Sequence, residues 1–552
     1  VRTGPVGVVT QSGGTGSYLH NLAAARGGGL AATISTGNEA DVGVGDAIAA
    51  LVGCEEVRAV AVVLETVRDG RAFMDAVREA RRAGKPVVAC RLGTSRHGQE
   101  LMRSHTGALA LPARVIEGVC DALGVTLART PAELLDVAEV MARARTPAGG
   151  RVGVVTHSGG TAILLSDLAA ESAVQLPRPP EALVEGLRPL LSHGSPANPV
   201  DLGAIIGGPH RFGEVVGQFL GSGAYDTVLA VSTPHPPAHS VGRARQLAEL
   251  DHGDPTLVHL WMAGDLGAPG LEALRRCGAA VTEEPRAAIR AVAGLARLAE
   301  LRADEPAVPG PTPAPEAAGG APREVPREPA TAGTLSEQGS KTLLAGWGLP
   351  VVEGDLATTS GEAVEIAARI GYPVVVKASA PELAHKSDVG GVRLDLSTPG
   401  QVREAFEDVL AAAGRGSPGV PVEGARVERY RPGPEVILGC VIDADFGPTT
   451  LVGIGGMDAE LLELVSVAPA PLSPAGARRV LARMPGRALL GAARRDGQRP
   501  DVEALADLVS QVSIRFCEAR GRFAELEMNP LTWSGGAWRV VDALVRLAGA
   551  GP

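Results

Sequence analysis

The sequence predicts an α/β fold built on doubly wound parallel sheets, and three observations point there. Residues 4–24, GPVGVVTQSGGTGSYLHNLAA, return at 150–170 as GRVGVVTHSGGTAILLSDLAA. Short apolar runs alternate with helical patterns of about ten to fifteen residues through the first 300 positions, which is the signature of parallel strands joined by crossover helices. A stretch rich in Pro, Ala and Glu at 303–333 then separates this part from a second mixed α/β part.

Each copy of the repeat opens with a β-branched run, Val6–Val9 or Val152–Val155, and passes through Ser-Gly-Gly-Thr into a helical pattern. Such a turn lets backbone approach an anion closely and aims the first free N–H groups of the helix at it. Two ordinary βα units of common ancestry would read the same way, so the turns alone leave both readings open. The remaining strands of the first part are AATIS, AVAVVLE and KPVVACRL, then TVLAVS, PTLVHLW and AAVTEE after the repeat restarts near TPAGG at 146–150. These set domains at 1–147 and 148–302, a semi-rigid linker at 303–333 that cannot bury a core, and a last domain of two lobes at 334–552. That domain begins with LSEQGSKTLLAGWGLPVVEG, a capped helix followed by a turn into a strand.

At 552 residues the chain is too long for one core, and three or four domains are expected. Hydrophobic residues at 45% against 21% charged place it among globular rather than disordered chains. A net charge of −10, with no basic stripe interleaved with aromatics, argues against nucleic acid as a partner. The six cysteines lack metal-type spacing and fit a reducing cytoplasm. No apolar run reaches membrane length, so no membrane association is expected. The chain starts at Val1 almost directly in a strand, which suggests that a further N-terminal part precedes it.

Several residues carry chemistry. His105, in RSHTGALA, has no aliphatic neighbours to bury it, and an imidazole nitrogen can accept and pass on a phosphoryl group. Glu65 ends an apolar strand and so projects from the carboxyl edge of the sheet, where ligand sites of α/β folds form. A carboxylate there could keep one ring nitrogen protonated and turn the other toward phosphate; a surface histidine and a solvated acid are the plain alternatives. GNEADV (37–42) and NPVDL (198–202) are weak signals by themselves, and Asn198 and Asp201 would serve equally to shape a turn before Pro199. In the last domain, Lys377 closes the run YPVVVK ahead of a His-Lys-Ser-Asp-Val-Gly-Gly loop, an arrangement suited to nucleotide phosphates. Glu527, Asn529 and Asp542, in ELEMNP and VVDAL, are oxygen donors on neighbouring strands of the kind that Mg²⁺ with a nucleotide requires.

In this order, TQSGG, GNEADV, VVLETVRDGRAF, KPVVACRLGTS, SHTGALA, VTHSGG, NPVDL, LSEQGSKTLLAGWGLP, YPVVVKASAPELAHKSDVGGV, EVILGCVIDADFGP and ELEMNPL resemble the NDP-forming acyl-CoA synthetases, the superfamily of succinyl-CoA synthetase and the ADP-forming acetate–CoA ligases. The resemblance spans nearly all of 1–552. It implies two flavodoxin-like domains followed by an ATP-grasp domain, with a CoA-binding domain normally ahead of them. It implies that His105 is the phosphohistidine, Glu65 its partner, and Ser12-Gly13-Gly14 and Ser158-Gly159-Gly160 the helix starts that cradle the phosphate. It further implies that His385 carries phosphate between sites. Lys377, Glu428 at the adenine hinge, and the glycine loop with Gly455 and Gly456 would hold nucleotide, and Asn529 and Asp542 would hold Mg²⁺. The substrates would be a small carboxylic acid, CoA and ATP or ADP, and the assembly a homo-oligomer. After GIGG (453–456) the chain departs from the family: Glu463 and Leu464 stand where Lys and Asp are usual, an Arg is lost, and GAARRDG alters a later Arg-Gly. These groups lie near the triphosphate in the family, so the departures imply slowed or lost phosphoryl transfer from ATP. The leading reading is an acid–thiol ligase. The alternative is the acyl-CoA-sensing body of a protein lysine acetyltransferase, against which His105 argues.

Overall fold

The computed structural model describes residues 3–95, 97–98, 101, 113–191, 196–203, 210–233, 237–250, 255–304, 333–380, 389–416, 422–455, 465–491, 499–519 and 521–548. His105, His385 and Gly456 lie outside the described residues, as do the altered segments 457–464 and 492–498. The chain forms two compact units, Val1–Gly310 and Pro311–Pro552.

In the first unit, strands β1 (Val6–Thr10), β2 (Ala32–Ser35), β3 (Ala59–Leu64), β4 (Val87–Arg91) and β5 (Thr126–Ala128) alternate with helices α1 (Gly13–Ala25), α2 (Val44–Val52), α3 (Gly70–Arg82), α4 (Ala113–Leu123) and α5 (Pro131–Arg143). The strands pair in parallel in the order β2-β1-β3-β4-β5. Every residue of β1 and β3 is buried, as expected of strands covered by helices on both faces.

The repeat reproduces this topology. Strands β6 (Val152–Thr156), β7 (Val200–Asp201), β8 (Thr227–Ser232), β9 (Thr256–Trp261) and β10 (Val281–Thr282) pair in parallel in the order β10-β9-β8-β6-β7, the first sheet's order read from the other edge. Their helices are α6 (Gly159–Glu171), α7 (Glu181–Leu187), α8 (His210–Gly221), α9 (Pro237–Ala248), α10 (Ala268–Arg276) and α11 (Pro285–Asp304). Matched glycines in β1 and β6 show why the repeat keeps them. A side chain at Gly7 would start 3.0 Å from Leu51, and one at Gly153 would start 2.7 Å from Phe219, so neither strand has room for a Cβ.

The two sheets share one core. Val6, Val8, Ala61 and Val63 of the first sheet and Val152, Val154, Leu229 and Leu260 of the second belong to one apolar cluster with residues of α5 and α11. Helix α11 returns to the first sheet: Arg290 donates to the Glu133 carboxylate and to the Leu127 carbonyl, both at 2.7 Å, and Arg297 donates to the Asp121 carbonyl. The restart of the repeat therefore begins a second sheet without interrupting the packing.

The second unit is antiparallel. Strands β11 (Gly354–Ala357), β12 (Val374–Ser379), β13 (Val392–Leu396) and β14 (Gly424–Arg429) form a sheet in the order β11-β14-β12-β13, packed with α13 (Ser360–Ile370) and α14 (Pro399–Gly416). Strands β15 (Glu435–Asp443), β16 (Gly447–Ile454), β17 (Val465–Pro469), β18 (Phe523–Ser534) and β19 (Ala537–Val540) form the other in the order β17-β16-β15-β18-β19, and β20 (Ala543–Leu547) pairs with β18. Helix α12 (Glu337–Gly346) joins the core of this larger sheet together with α15 (Pro474–Arg483) and α16 (Val502–Glu518). Each of these two sheets has its own apolar core. Among the described residues no helix is long and apolar enough to cross a membrane.

Candidate functional site

The strand order of the first sheet reverses between β1 and β3, so the carboxyl edge there opens a crevice of the kind in which doubly wound folds bind ligands. Helix α1 starts at that edge. Ser12 is its N-cap, and its Oγ accepts the Thr15 N–H at 3.3 Å. Among the described residues, and apart from its own chain neighbours, no heavy atom lies within 4 Å of where a side chain on Gly13 would begin.

Gln11, which the sequence reading passed over, organises the edge. Its side-chain carbonyl accepts the Glu65 N–H at 2.6 Å and the Thr66 N–H at 3.2 Å. Its amide donates to the Thr66 carbonyl at 3.0 Å and to the carboxylate of Glu39. Three loops, those after β1, β2 and β3, are thus tied together by one side chain. Glu39, within GNEADV, holds a left-handed backbone at φ 54°, a conformation that costs a non-glycine residue free energy and recurs at functional sites. Burial raises its pKa, against the Val44 N–H and the Gln11 amide, which lower it. Glu65 sits half-buried directly after β3, one residue beyond the strand's last, Leu64.

The second copy keeps the cap and changes what faces it. Ser158 caps α6 through Thr161 N–H at 3.3 Å, as Ser12 does. A side chain on Gly159, however, would begin 3.0 Å from Oδ2 of Asp201, whereas no described residue beyond the chain neighbours places an atom within 4 Å of the matching point on Gly13. The other oxygen of Asp201 accepts the Gly203 N–H at 2.9 Å and shapes the turn. Asn198 is structural: its amide donates to the Val152 carbonyl at 2.7 Å and accepts the Val154 N–H at 2.8 Å, fastening the edge of β6. Nearby, the His157 ring packs on Phe212 at 4.5 Å, and the guanidinium of Arg243, only 1% exposed, lies 5.3 Å above the same Phe212 ring. Nε and Nη1 of Arg243 find no hydrogen-bond partner among the described residues.

In the second unit Lys377 is the fourth of six residues in β12 rather than its last, and it is only 4% exposed. Its ammonium donates to the Val541 carbonyl at 2.7 Å and pairs with Glu428 at 3.1 Å, Glu337 at 3.3 Å and Asp542 at 4.0 Å. Burial alone would push Lys377 down, but Glu337, Glu428 and Asp542 together hold its ammonium well above the usual lysine range. Glu428, implied at the adenine hinge, turns its carboxylate inward onto Lys341, Lys377 and Arg426, and is 1% exposed. Glu428 is therefore in contact with the candidate phosphate lysine through its side chain. Lys341, Glu337 and Arg426 complete a buried charge cluster that sequence reading missed. The spacing of Glu337 and Lys341, four apart on one helix, signals a pair, but nothing local signals its burial.

The antiparallel register sets Met528 opposite Ala543, and the Asn529 N–H donates to the Asp542 carbonyl at 3.3 Å. The two candidate metal ligands are thus neighbours, and Asp542 sits beside Lys377. An amide oxygen and a carboxylate are hard donors that suit Mg²⁺, which keeps waters and substrate phosphates as its other ligands. No cluster of three His, Cys, Asp or Glu able to hold a metal occurs among the described residues. Gly455 is required by packing: a Cβ there would start 2.9 Å from the backbone of Val436.

Residues 3–141 match the succinyl-CoA ligase like flavodoxin domain, and residues 328–547 match the ATP-grasp domain. A trans-feruloyl-CoA synthase from an unknown prokaryotic organism is 30% identical over 98% of this chain and 76% of its own length. The chain belongs to the NDP-forming acyl-CoA synthetases. Another relative of this superfamily, the ADP-forming 4-hydroxybutyrate–CoA ligase of Nitrosopumilus maritimus, is 27% identical over 99% of this chain and 78% of its own. Among solved structures, an acetyl-coenzyme A synthetase of Candidatus Korarchaeum cryptofilum in complex with phosphate and ADP matches 55% of this chain and 66% of its own, with a TM-score of 0.50. At 22% identity that match speaks for the fold alone.

Proposed function

We propose that this member of the acyl-CoA synthetases is an acid–thiol ligase that interconverts acyl-CoA, ADP and phosphate with a carboxylate, CoA and ATP. The observation that carries the reading is the match, over 98% and 99% of the chain, to relatives named as a CoA synthase and an ADP-forming CoA ligase. Those names favour catalysis over the regulatory, acyl-CoA-sensing alternative.

In the ATP-forming direction, phosphate attacks the thioester carbonyl and CoA leaves as the thiol, giving an acyl phosphate. A ring nitrogen of His105 then takes the phosphoryl group and releases the carboxylate. Phosphohistidine finally passes the group to ADP. The N-terminus of α1, with Ser12, Gly13 and Gly14, would supply N–H groups and a favourable dipole for the anion. Glu65 would orient the imidazole from the carboxyl edge of β3, as other carboxylates orient catalytic histidines. At the second turn, Ser158, Gly159 and Gly160 would share the phosphate with Asp201 nearby, which makes that turn the weaker anion holder. His385 would carry the phosphoryl group toward the ATP-grasp unit. There Lys377 would meet nucleotide phosphates, Gly455 and Gly456 would line the glycine loop, and Asn529 and Asp542 would hold Mg²⁺, which neutralises phosphate charge when bound. The proposal includes the domain limits 1–147, 148–302 and 334–552, and a homo-oligomeric assembly.

The test is a panel of carboxylic acids offered with CoA and Mg–ATP to the purified full protein, reading ADP and CoA thioester together. Stoichiometric ADP and thioester with at least one acid is the expected result. AMP in place of ADP, or no thioester with any acid while nucleotide binds, would overturn it.

A further inference from the structure

The buried charge cluster of the second unit holds two lysines where a phosphate ligand needs one. The ammonium of Lys341 donates to Glu337 at 2.5 Å, to the Val541 carbonyl at 2.5 Å, and to Glu428. Lys377 addresses the same three groups at 3.3, 2.7 and 3.1 Å. Lys341 has the closer contacts and is 2% exposed, and its hydrogen-bond partners are all within the cluster, whereas Lys377 also faces the partly exposed Asp542. Arg426 adds a third cation, pairing with Glu428 and donating to Gln338 and to the Gly354 carbonyl. Glu337 and Glu428 are 3% and 1% exposed. Among the described residues of the cluster, three buried cations thus face two buried carboxylates. The side chain of Asp542, 31% exposed, faces Lys377 from 4.0 Å at the open side.

This division of charge has a consequence for any ligand of Lys377. Two fully buried carboxylates with only Lys377 and Arg426 to neutralise them would hold the Lys377 ammonium tightly, because Coulomb attraction is strong where water is excluded. With Lys341 satisfying the same two carboxylates at shorter range, on the shared Oε1 of Glu337 and on Oε1 of Glu428 where Lys377 takes Oε2, Lys377 keeps positive potential in reserve toward Asp542 and whatever binds beside it.

We propose that Lys341 is a positioning residue for nucleotide binding, which neutralises Glu337 and Glu428 so that Lys377 remains available to a phosphate. This rests on the reading of Lys377 as a nucleotide-phosphate ligand. Lys341 acts only through its neighbours, and its own ammonium stays within the cluster.

The experiment titrates the full protein calorimetrically with Mg–ADP and, separately, with adenosine, which lacks phosphates. Lys341→Met keeps an unbranched side chain one atom shorter while removing the charge, and should weaken Mg–ADP by about tenfold or more with adenosine affinity unchanged. Adding Glu337→Gln to that variant restores the balance of charge and should recover most of the lost affinity. Glu337→Gln alone should tighten Mg–ADP. Wild-type affinity in Lys341→Met would overturn the proposal. So would a folded double variant that stays as weak as the single one, since a merely structural lysine is not rescued by removing a carboxylate. If Lys341→Met does not fold, the Glu337→Gln variant decides alone, and unchanged or weaker Mg–ADP binding overturns the idea. Lys377→Met separates the premise from the proposal: unaltered Mg–ADP binding there would show that the reading of Lys377 itself is wrong.

Discussion

The side-chain carbonyl of Gln11 accepts the backbone N–H of Glu65 at 2.6 Å, so the residue after β1 fixes the residue after β3 across the point where the strand order reverses. The same side chain reaches Glu39 after β2. The loops that frame the candidate phosphate site are therefore held by one neutral amide, which can accept from one loop while donating to another.

Replacing Gln11 should consequently affect the site more than the fold. Gln11→Leu leaves the Glu65 and Thr66 N–H groups unpaired and should cost about 1–3 kcal/mol of stability. It should also slow phosphoryl transfer to His105 by more than tenfold, because Glu65 loses its anchor. Chemical denaturation and phosphorylation kinetics on one preparation check both figures. A rate unchanged from wild type would show that Glu65 is placed without Gln11.

Asp136 provides a prediction about pH. Burial pushes its carboxyl up to about 6, with Arg26 opposing at 2.7 Å and Glu139 and Glu284 reinforcing. The folded protein then binds more protons than the unfolded chain between about pH 4 and 6, so this group's contribution to stability is lost as pH rises through that window, by roughly 3 kcal/mol. The stability of wild type relative to Asp136→Asn should therefore fall between pH 4 and 6. A difference independent of pH would contradict the burial argument.

Arg243 should be replaceable with a gain in stability. A guanidinium that is 1% exposed, with only the Phe212 ring beneath it, carries a desolvation cost that no carboxylate offsets among the described residues. Arg243→Met should raise the melting temperature, by about 1–2 kcal/mol in free energy. A lower melting temperature would mean that the contact with Phe212 outweighs the burial of charge.

Much of this was legible in the sequence where the signal is local. The β-branched runs, the Ser-Gly-Gly turns and the proline-rich break depend on neighbours a few residues apart, and β1, β3, β6, β8 and β9 formed where the pattern placed them. Strands β5 and β7, three and two residues long, did not stand out from the helices around them, although the two-residue β10 did within AAVTEE. The register of Asn529 with Asp542 could be anticipated from two adjacent strands. The cluster around Lys377 could not, because it joins Glu337, Lys341, Arg426, Glu428 and Val541 through contacts spanning up to 200 positions. Nor could the sequence separate the two repeat turns, since Asp201 reaches Gly159 only through the fold.

The two units make separable predictions. Asn529→Ala or Asp542→Ala should weaken Mg–nucleotide binding and leave exchange between acyl phosphate and His105 untouched. His385→Ala should spare both and slow ATP formation from isolated phosphorylated protein and ADP. Wild-type ATP formation in His385→Ala would contradict the relay through that residue.

Whether His105 carries the phosphoryl group is decided by a single labelling experiment. Wild-type protein incubated with γ-labelled ATP and Mg²⁺ should acquire an acid-labile, base-stable label at His105. His105→Ala should bind nucleotide and take up none, and Glu65→Gln should be labelled more slowly by about 2–4 kcal/mol in activation free energy. Wild-type protein that binds Mg–ATP yet gains no label, or that gains it at another residue, would contradict the account.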